Sequence, residues 1–245
     1  MNFLANFSLK TFNKIALIFQ SRALIRGLFK GTAAAVEHFN VLRSLKEVET
    51  IIDVGANKGQ FSLASRFILP NSKIYSFEPL EKPAKIFKSL FSYDKKVVLF
   101  RYALGAKKSS LDINISRKDD SSSILNISKN QTSIFPGTDY LRSEKIDLAP
   151  LSFFLKPKHF KNRTLMKIDV QGFELEVLKG SYDLFKYIHY IYVECSFIQL
   201  YEKQPLAYNV IKFLEDFSFY LKGIYNPYYK KDGVVIQADF LFEKK

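Results

Sequence analysis

Cysteine is almost absent from this sequence. Cys195 is the single one in 245 residues, so no internal disulfide can form, and a reducing compartment fits. Long apolar runs are missing as well. A membrane span takes roughly 18 consecutive apolar residues, and the best early run, Ile15 to Phe19, falls far short. No secretory signal is expected either, because Lys10, Lys14, Arg22, Arg26 and Lys30 are spread through the opening and precede no single apolar block. These absences predict a cytoplasmic protein. The metal-binding patterns are also lacking: His38, His159 and His189 form no pair at helical spacing, no zinc set exists, and no Asp-x-Asp cluster stands at a strand end. A metal-independent chemistry is expected.

Acidic residues are missing before Glu37, while Phe3, Leu4, Phe7, Phe12, Ile15 and Phe19 recur between the cations. A stretch of that kind suits two arrangements. It can rest peripherally on an anionic membrane at the inner surface, or it can pack as a helix on its own domain. The formal net charge of +13 also invites a nucleic-acid partner, an alternative weighed below. A chain that is 47% hydrophobic has a globular composition, which excludes disorder throughout.

Periodicity gives the architecture. Helical spacing from Thr32 to Leu45 leads into a short β-branched run, Thr50 to Val54, which a glycine turn, Gly55 to Gly59, breaks before a helix that stops at Pro70. The unit repeats with a strand from Lys73 to Phe77 and a helix from about Glu81 to Phe91. A third strand, Val97 to Tyr102, ends at Ala103-Leu104-Gly105. The polar stretch from Lys107 to Pro136 reads as a hairpin around Leu111 to Ile115 and a mobile loop containing Ser121, Ser122 and Ser123. Strands at Leu165 to Asp169 and Tyr190 to Cys195 enclose a helix capped by Gly180. A helix from about Leu206 to Phe217 precedes two closing strands, Phe219 to Ile224 and Val234 to Phe242. Alternation of this kind predicts an α/β fold with a doubly wound parallel sheet.

The chemistry is concentrated at the strand ends. Asp53-x-Gly55-x-x-x-Gly59 follows a strand and opens a helix, where backbone N–H groups face a ligand closely. Glu78 ends the next strand, 25 residues later, at the spacing of a carboxylate that accepts from ribose hydroxyls. The turn is not the G-x-G-x-x-G of a dinucleotide fold. Asn57 replaces its second glycine and Asp53 stands just before the first, an arrangement that suits an α-amino group better than a pyrophosphate. The nucleoside it favours is S-adenosylmethionine.

The segments Ile51 to Phe61, Ser76-Phe77-Glu78-Pro79-Leu80, Leu165 to Glu174 and Val177 to Gly180 resemble, in order, the motifs of the FkbM-type methyltransferases. Val193 to Phe197, Leu200-Tyr201-Glu202 and Gln237 to Phe242 resemble the later blocks. The resemblance runs from about Ala33 to the C-terminus. It implies a class I, Rossmann-like methyltransferase fold with a mostly parallel seven-stranded sheet and an antiparallel edge strand. The methyltransferase domain would span 49–245, behind a basic N-terminal helical extension, 1–48. It also implies methyl transfer to hydroxyls of sugars, glycans or polyketide-like small molecules. By position, Asp53, Gly55, Ala56, Asn57 and Gly59 would serve the methionine side of the cofactor, Glu78 and Pro79 the ribose, and Ala103 and Leu104 the adenine.

Asp169 ends the fourth strand across from the glycine turn. It is placed to take the acceptor's proton or to anchor the donor's amino group, with helix capping as the purely structural reading. Glu194, a carboxylate in an apolar strand, is a second catalytic candidate, or else the partner of a buried cation. Ser122, Ser123, Gln171 and Glu174 are the candidates for the acceptor side. His38 is a lesser candidate base. Asn226-Pro227-Tyr228-Tyr229 looks like an amino-methyltransferase signature but stands after the wrong strand, and a proline turn between the closing strands is the expectation. A nucleic-acid methyltransferase, or an inactive member kept as an interaction module, are the alternatives.

Overall fold

The computed structural model describes residues 21–45 and 47–245. Helix α1 (Arg22–Phe29) buries Leu24 against Ala56, Leu63, Phe87 and Phe91. This part of the basic opening therefore packs on its own fold, and the rest of that opening, 1–20, lies outside the described residues. The helix expected from Thr32 onward begins later. A 3-10 turn, Val36–His38, precedes α2 (Phe39–Ser44). The chain before it is tied down elsewhere, since Ala35 N–H donates to the Gln60 carbonyl and Thr32 Oγ1 to that of Lys58.

The main elements then follow in order: β1 (Val48–Val54), α3 (Gln60–Ile68), β2 (Lys73–Phe77), α4 (Glu81–Leu90) and β3 (Val97–Phe100). An insert carries β4 (Ala103–Leu104), β5 (Ser109–Ser116), α5 (Lys129–Ile134), β6 (Tyr140–Ala149) and α6 (Leu151–Phe154). The chain closes with β7 (Arg163–Ile168), α7 (Glu174–Lys179), β8 (Tyr190–Ser196), α8 (Ala207–Glu215), β9 (Phe219–Tyr229) and β10 (Val235–Lys244).

Seven strands form one sheet in the order β3-β2-β1-β7-β8-β10-β9. β1, β2, β3, β7 and β8 pair in parallel, and β10 runs antiparallel to both β8 and the edge strand β9. Parallel strands are covered on both faces, and the residues show it. Ile52, Val54, Met166 and Ile168 enter one core, while Ile51, Leu165 and Tyr192 enter the other with Phe39, Leu42 and Phe61. The strand order reverses between β1 and β7, the place where such sheets open a crevice beyond the carboxyl ends of their strands.

Several expectations need correction. Ala103 and Leu104 do not extend β3; they pair with β6 in a separate three-stranded sheet, β4-β6-β5. The segment expected to be a mobile loop is anchored to that sheet. Ser123 is fully buried and exchanges two backbone hydrogen bonds with Asn114. Gly180 does cap α7, but it lies in the right-handed region, φ −78°, so left-handed cap geometry is not what calls for glycine. A side chain there would meet the Gly105 carbonyl at 2.2 Å, and it is this contact that demands glycine. Asn226-Pro227 is not the turn between the closing strands but an irregularity within β9. Tyr228 and Tyr225 face Gln237 and Asp239, so two residues oppose one and the strand bulges. Asn226 takes φ 48° there.

Candidate functional site

The crevice between β1 and β7 holds a cavity of about 450 Å³, within the range of small-molecule sites. Its floor is the turn after β1. Gly55 has φ +79°, and a Cβ there would stand 1.8 Å from the Asp169 carbonyl, so only glycine lets the ends of β1 and β7 come together. Ala56 and Asn57 continue the wall, with Asn57 at φ 46°.

On the β2 side, Glu78 projects from the strand end. Its Oε2 accepts from Asn57 N–H at 2.9 Å and its Oε1 from Leu80 N–H at 2.8 Å. Each oxygen has a further lone pair for a ligand hydroxyl. Burial pushes its pKa up to about 7. Around it lie Pro79, Ala103, Leu104, Ile113 and Ile146, an apolar slot to which the insert sheet contributes.

On the β7 side, Lys167 and Asp169 point the same way because they alternate along the strand direction. Lys167 Nζ is 3.3 Å from Asp169 Oδ2 and 3.9 Å from Asp53 Oδ1. Burial opposes the charge on Lys167, but Asp169 and Asp53 outweigh it and raise its pKa. Burial likewise opposes ionisation of Asp169, yet Lys167 and the Gln171 amide prevail and hold it below the usual carboxylate range. Gln171, at φ 54°, gathers four segments. Its Nε2 donates to Asp169 Oδ1 at 2.8 Å and to Glu194 Oε2 at 3.1 Å. Its Oε1 accepts from Tyr201 Oη, and its carbonyl accepts from Ser123 Oγ at 2.6 Å.

Of the residues singled out from sequence, His38, Gly55, Ala56, Asn57, Glu78, Pro79, Ala103, Leu104, Ser122, Asp169 and Gln171 line this one cavity. Five others stand behind it. Asp53 is fully buried and accepts from Ser62 Oγ at 2.6 Å. Gly59 packs against Phe87 and Phe91. Ser123 holds Gln171 from the insert side. Glu174 Oε1 accepts from Gly172 N–H, and burial raises its pKa to about 7. Glu194 accepts from Gln171 and, at Oε1, from Gln237. Burial, with Asp169 and Asp239 nearby, pushes its pKa well above the usual value. His189 accepts from Thr164 N–H at the opposite, amino end of the sheet. Among the described residues no group of three His, Cys, Asp or Glu is arranged to hold a metal.

Lys167, Glu37 and Asp120 also line the cavity and were not anticipated. Lys167 had a readable signal, a cation two positions before Asp169 in an apolar strand. Glu37 and Asp120 had none, since each reaches the wall from a segment distant in sequence.

Residues 53–221 match the Methyltransferase FkbM domain. The chain belongs to the FkbM methyltransferase family. It is an S-adenosylmethionine-dependent methyltransferase. A curated relative, the 2-O-methyltransferase NoeI of Sinorhizobium fredii (strain NBRC 101917 / NGR234), is 24% identical over 213 residues, 83% of this chain and 87% of NoeI. Similar solved structures include the precorrin-6y C5,15-methyltransferase of Geobacter metallireducens GS-15, with TM-score 0.48 and 12% identity over 85% of this chain and 88% of that one. Another is the magnesium protoporphyrin IX methyltransferase of Synechocystis PCC 6803 with bound SAM, with TM-score 0.46 and 11% identity over 86% and 81%. The FkbM cavity fits the cofactor's chemistry. Glu37, Glu78, Asp120 and Asp169 stand on its wall with Lys167, an acidic surrounding for a sulfonium and an ammonium. The glycine floor leaves room that a side chain would fill.

Among the described residues, no helix is long and apolar enough to cross a membrane.

Proposed function

We propose that this FkbM-family enzyme transfers a methyl group to a hydroxyl of a sugar, glycan or polyketide-like small molecule, without a metal ion. The observation that carries the reading is the two-sided wall of the cavity, with a carboxylate and an apolar slot by β2 and a polar group of Asp120, Ser122, Asp169 and Gln171 by the insert and β7. NoeI, by its name a 2-O-methyltransferase, supports the hydroxyl as acceptor. Bound S-adenosylmethionine supplies an electrophilic methyl group. Glu78 accepts from the ribose hydroxyls with its remaining lone pairs, and Ala103 and Leu104 flank the adenine. Gly55, Ala56 and Asn57 receive the methionine portion. The low pKa of Asp169 keeps it anionic, which suits the donor's ammonium better than proton removal. Asp53 acts from behind the cavity wall, facing Lys167 at 3.9 Å. Gln171 and Ser122 face the acceptor, and Glu194 and Glu174 hold the segment that carries Gln171. The first thirty residues add a peripheral contact with an anionic membrane.

Calorimetry tests the donor site. The wild type is expected to bind S-adenosylmethionine in the micromolar range, and Glu78→Ala to weaken binding by about tenfold or more, roughly 1.4 kcal/mol. Asp169→Asn is expected to weaken it too. No measurable binding by the wild type would sink the reading. Mass spectrometry of glycans, lipid-linked sugars and polar metabolites incubated with the enzyme identifies the acceptor.

A further inference from the structure

A polar chain on the cavity wall has no part in the roles assigned so far. His38 lines the cavity from the 3-10 turn ahead of α2. Its Nδ1 lies 3.0 Å from Tyr192 Oη on β8, and Tyr192 donates its hydroxyl to Asp239 Oδ2 on β10 at 3.0 Å. Asn226, turned inward by the bulge of β9, donates to the same Asp239 oxygen at 2.8 Å and to Tyr192 Oη at 3.2 Å. The Phe61 ring meets the imidazole edge-on at 5.3 Å. Four segments of the chain thus converge to hold one ring.

The directions of these bonds fix the tautomer. Tyr192 has one hydrogen, and Asp239 takes it, so Oη presents a lone pair to His38 and Nδ1 must carry the hydrogen. Both amide hydrogens of Asn226 go to the shorter contacts, and its 3.3 Å approach to Nδ1 is then a contact between donors. Nε2 keeps its lone pair. Nδ1 faces inward to the network, so Nε2 is the nitrogen left to the cavity.

Resting on the O-methyl reading above, we propose that His38 is the general base of the transfer, with Tyr192, Asp239 and Asn226 as positioning residues. The acceptor oxygen bonds to the methyl carbon, the carbon–sulfur bond breaks with its pair going to sulfur, and the hydroxyl proton passes to Nε2. One positive charge is lost at the sulfonium and one appears on the imidazole. Asp239 Oδ2, 3.6 Å from Nδ1, faces that new charge. The other charged groups around the ring are Glu37 on its own turn and Lys167 and Asp169 on and just beyond β7. Burial, aided by Lys167, lowers the pKa of His38 to about 4. The ring is therefore neutral at pH 7 and ready to accept. A weak base suffices here, because an oxygen that is gaining a methyl group becomes a strong acid. Asp169 is the poorer base: Lys167 and Gln171 already engage both of its oxygens.

Two measurements test this. With 15N-labelled histidine, the wild type should show His38 in the Nδ1–H tautomer, its signal assigned by its loss in His38→Asn. With methyl-tritiated S-adenosylmethionine and the source cell's polar and lipid-linked sugar extract, His38→Asn should bind the cofactor as the wild type does. It should transfer at least about 100-fold more slowly, with partial rescue by added imidazole. Tyr192→Phe should lower kcat about tenfold at unchanged KM, and should shift the acid limb of the pH–rate profile. An Nε2–H tautomer, or unimpaired transfer by His38→Asn, overturns the proposal. If the wild type binds cofactor and methylates nothing, the O-methyl reading falls, and the tautomer alone decides the geometry argued here.

Discussion

Glu174 shows how a carboxylate can be important without touching a ligand. Its Oε1 receives Gly172 N–H at 2.9 Å, fixing the turn that aims Gln171, and burial raises its pKa from 4.5 to about 7. The folded protein therefore binds this proton more tightly than the unfolded chain between those values. The resulting stabilisation is complete below about pH 4.5 and is lost as pH rises through 7. Glu174→Gln keeps the acceptor oxygen and removes the ionisation. Its melting temperature is expected to fall less than that of the wild type between pH 5 and pH 8, and parallel curves would refute the assignment. At this scale the sequence was informative where partners are close along the chain. The glycine turn and Glu78 were legible because a strand–turn–helix–strand unit fixes their spacing. His38 was legible only as a lesser candidate, and its partners Tyr192 and Asp239 were not, because 154 positions separate His38 from Tyr192 and 47 separate Tyr192 from Asp239, and only the fold joins them.

At the scale of elements, the five parallel strands were legible because burial on both faces leaves continuous apolar runs. The insert was not. Seven residues of β6, Tyr140 to Ile146, hold only one buried position, and the buried group Leu148 and Ala149 comes at its end, so no alternation announces a strand. The bulge in β9 was hidden for another reason, since Asn-Pro is a turn signal wherever it occurs. The insert is joined to the main fold at a tight point, where a Cβ on Gly180 would stand 2.2 Å from the Gly105 carbonyl oxygen. Gly180→Ala forces these backbones apart and is expected to cost about 1–3 kcal/mol, roughly 2–12 °C in melting temperature. An unchanged melting temperature would mean the two backbones separate freely.

For the whole molecule, charge is divided between outside and inside. The chain carries +13, while four carboxylates face the cavity against one lysine. Part of the basic opening is already engaged: Arg26 lies over the Tyr93 ring at 5.3 Å, and Lys30 donates to Ser89 Oγ at 2.9 Å. Leu28 and Phe29 beside them are exposed. If the opening meets an anionic surface, the full chain should co-sediment with phosphatidylglycerol vesicles and be released by salt. The double variant Lys10→Glu, Lys14→Glu should lose much of that binding and keep its cofactor affinity. Equal sedimentation of the two proteins would remove the membrane contact from the account.

Gln171 has a consequence for how such an enzyme can change over time. Its carbonyl is held by Ser123 of the insert, its amide by Asp169 and Glu194, and its side-chain oxygen by Tyr201. An insert grafted from a relative with another acceptor preference would bring a new lining but would unhook this junction unless its own serine met the same carbonyl. Exchange of specificity by recombination is therefore constrained at the seam of the insert: the graft must reproduce this hydrogen bond, together with the backbone pairing of Asn126 and Ser128 with Glu202 and Leu200, before it can offer a new substrate.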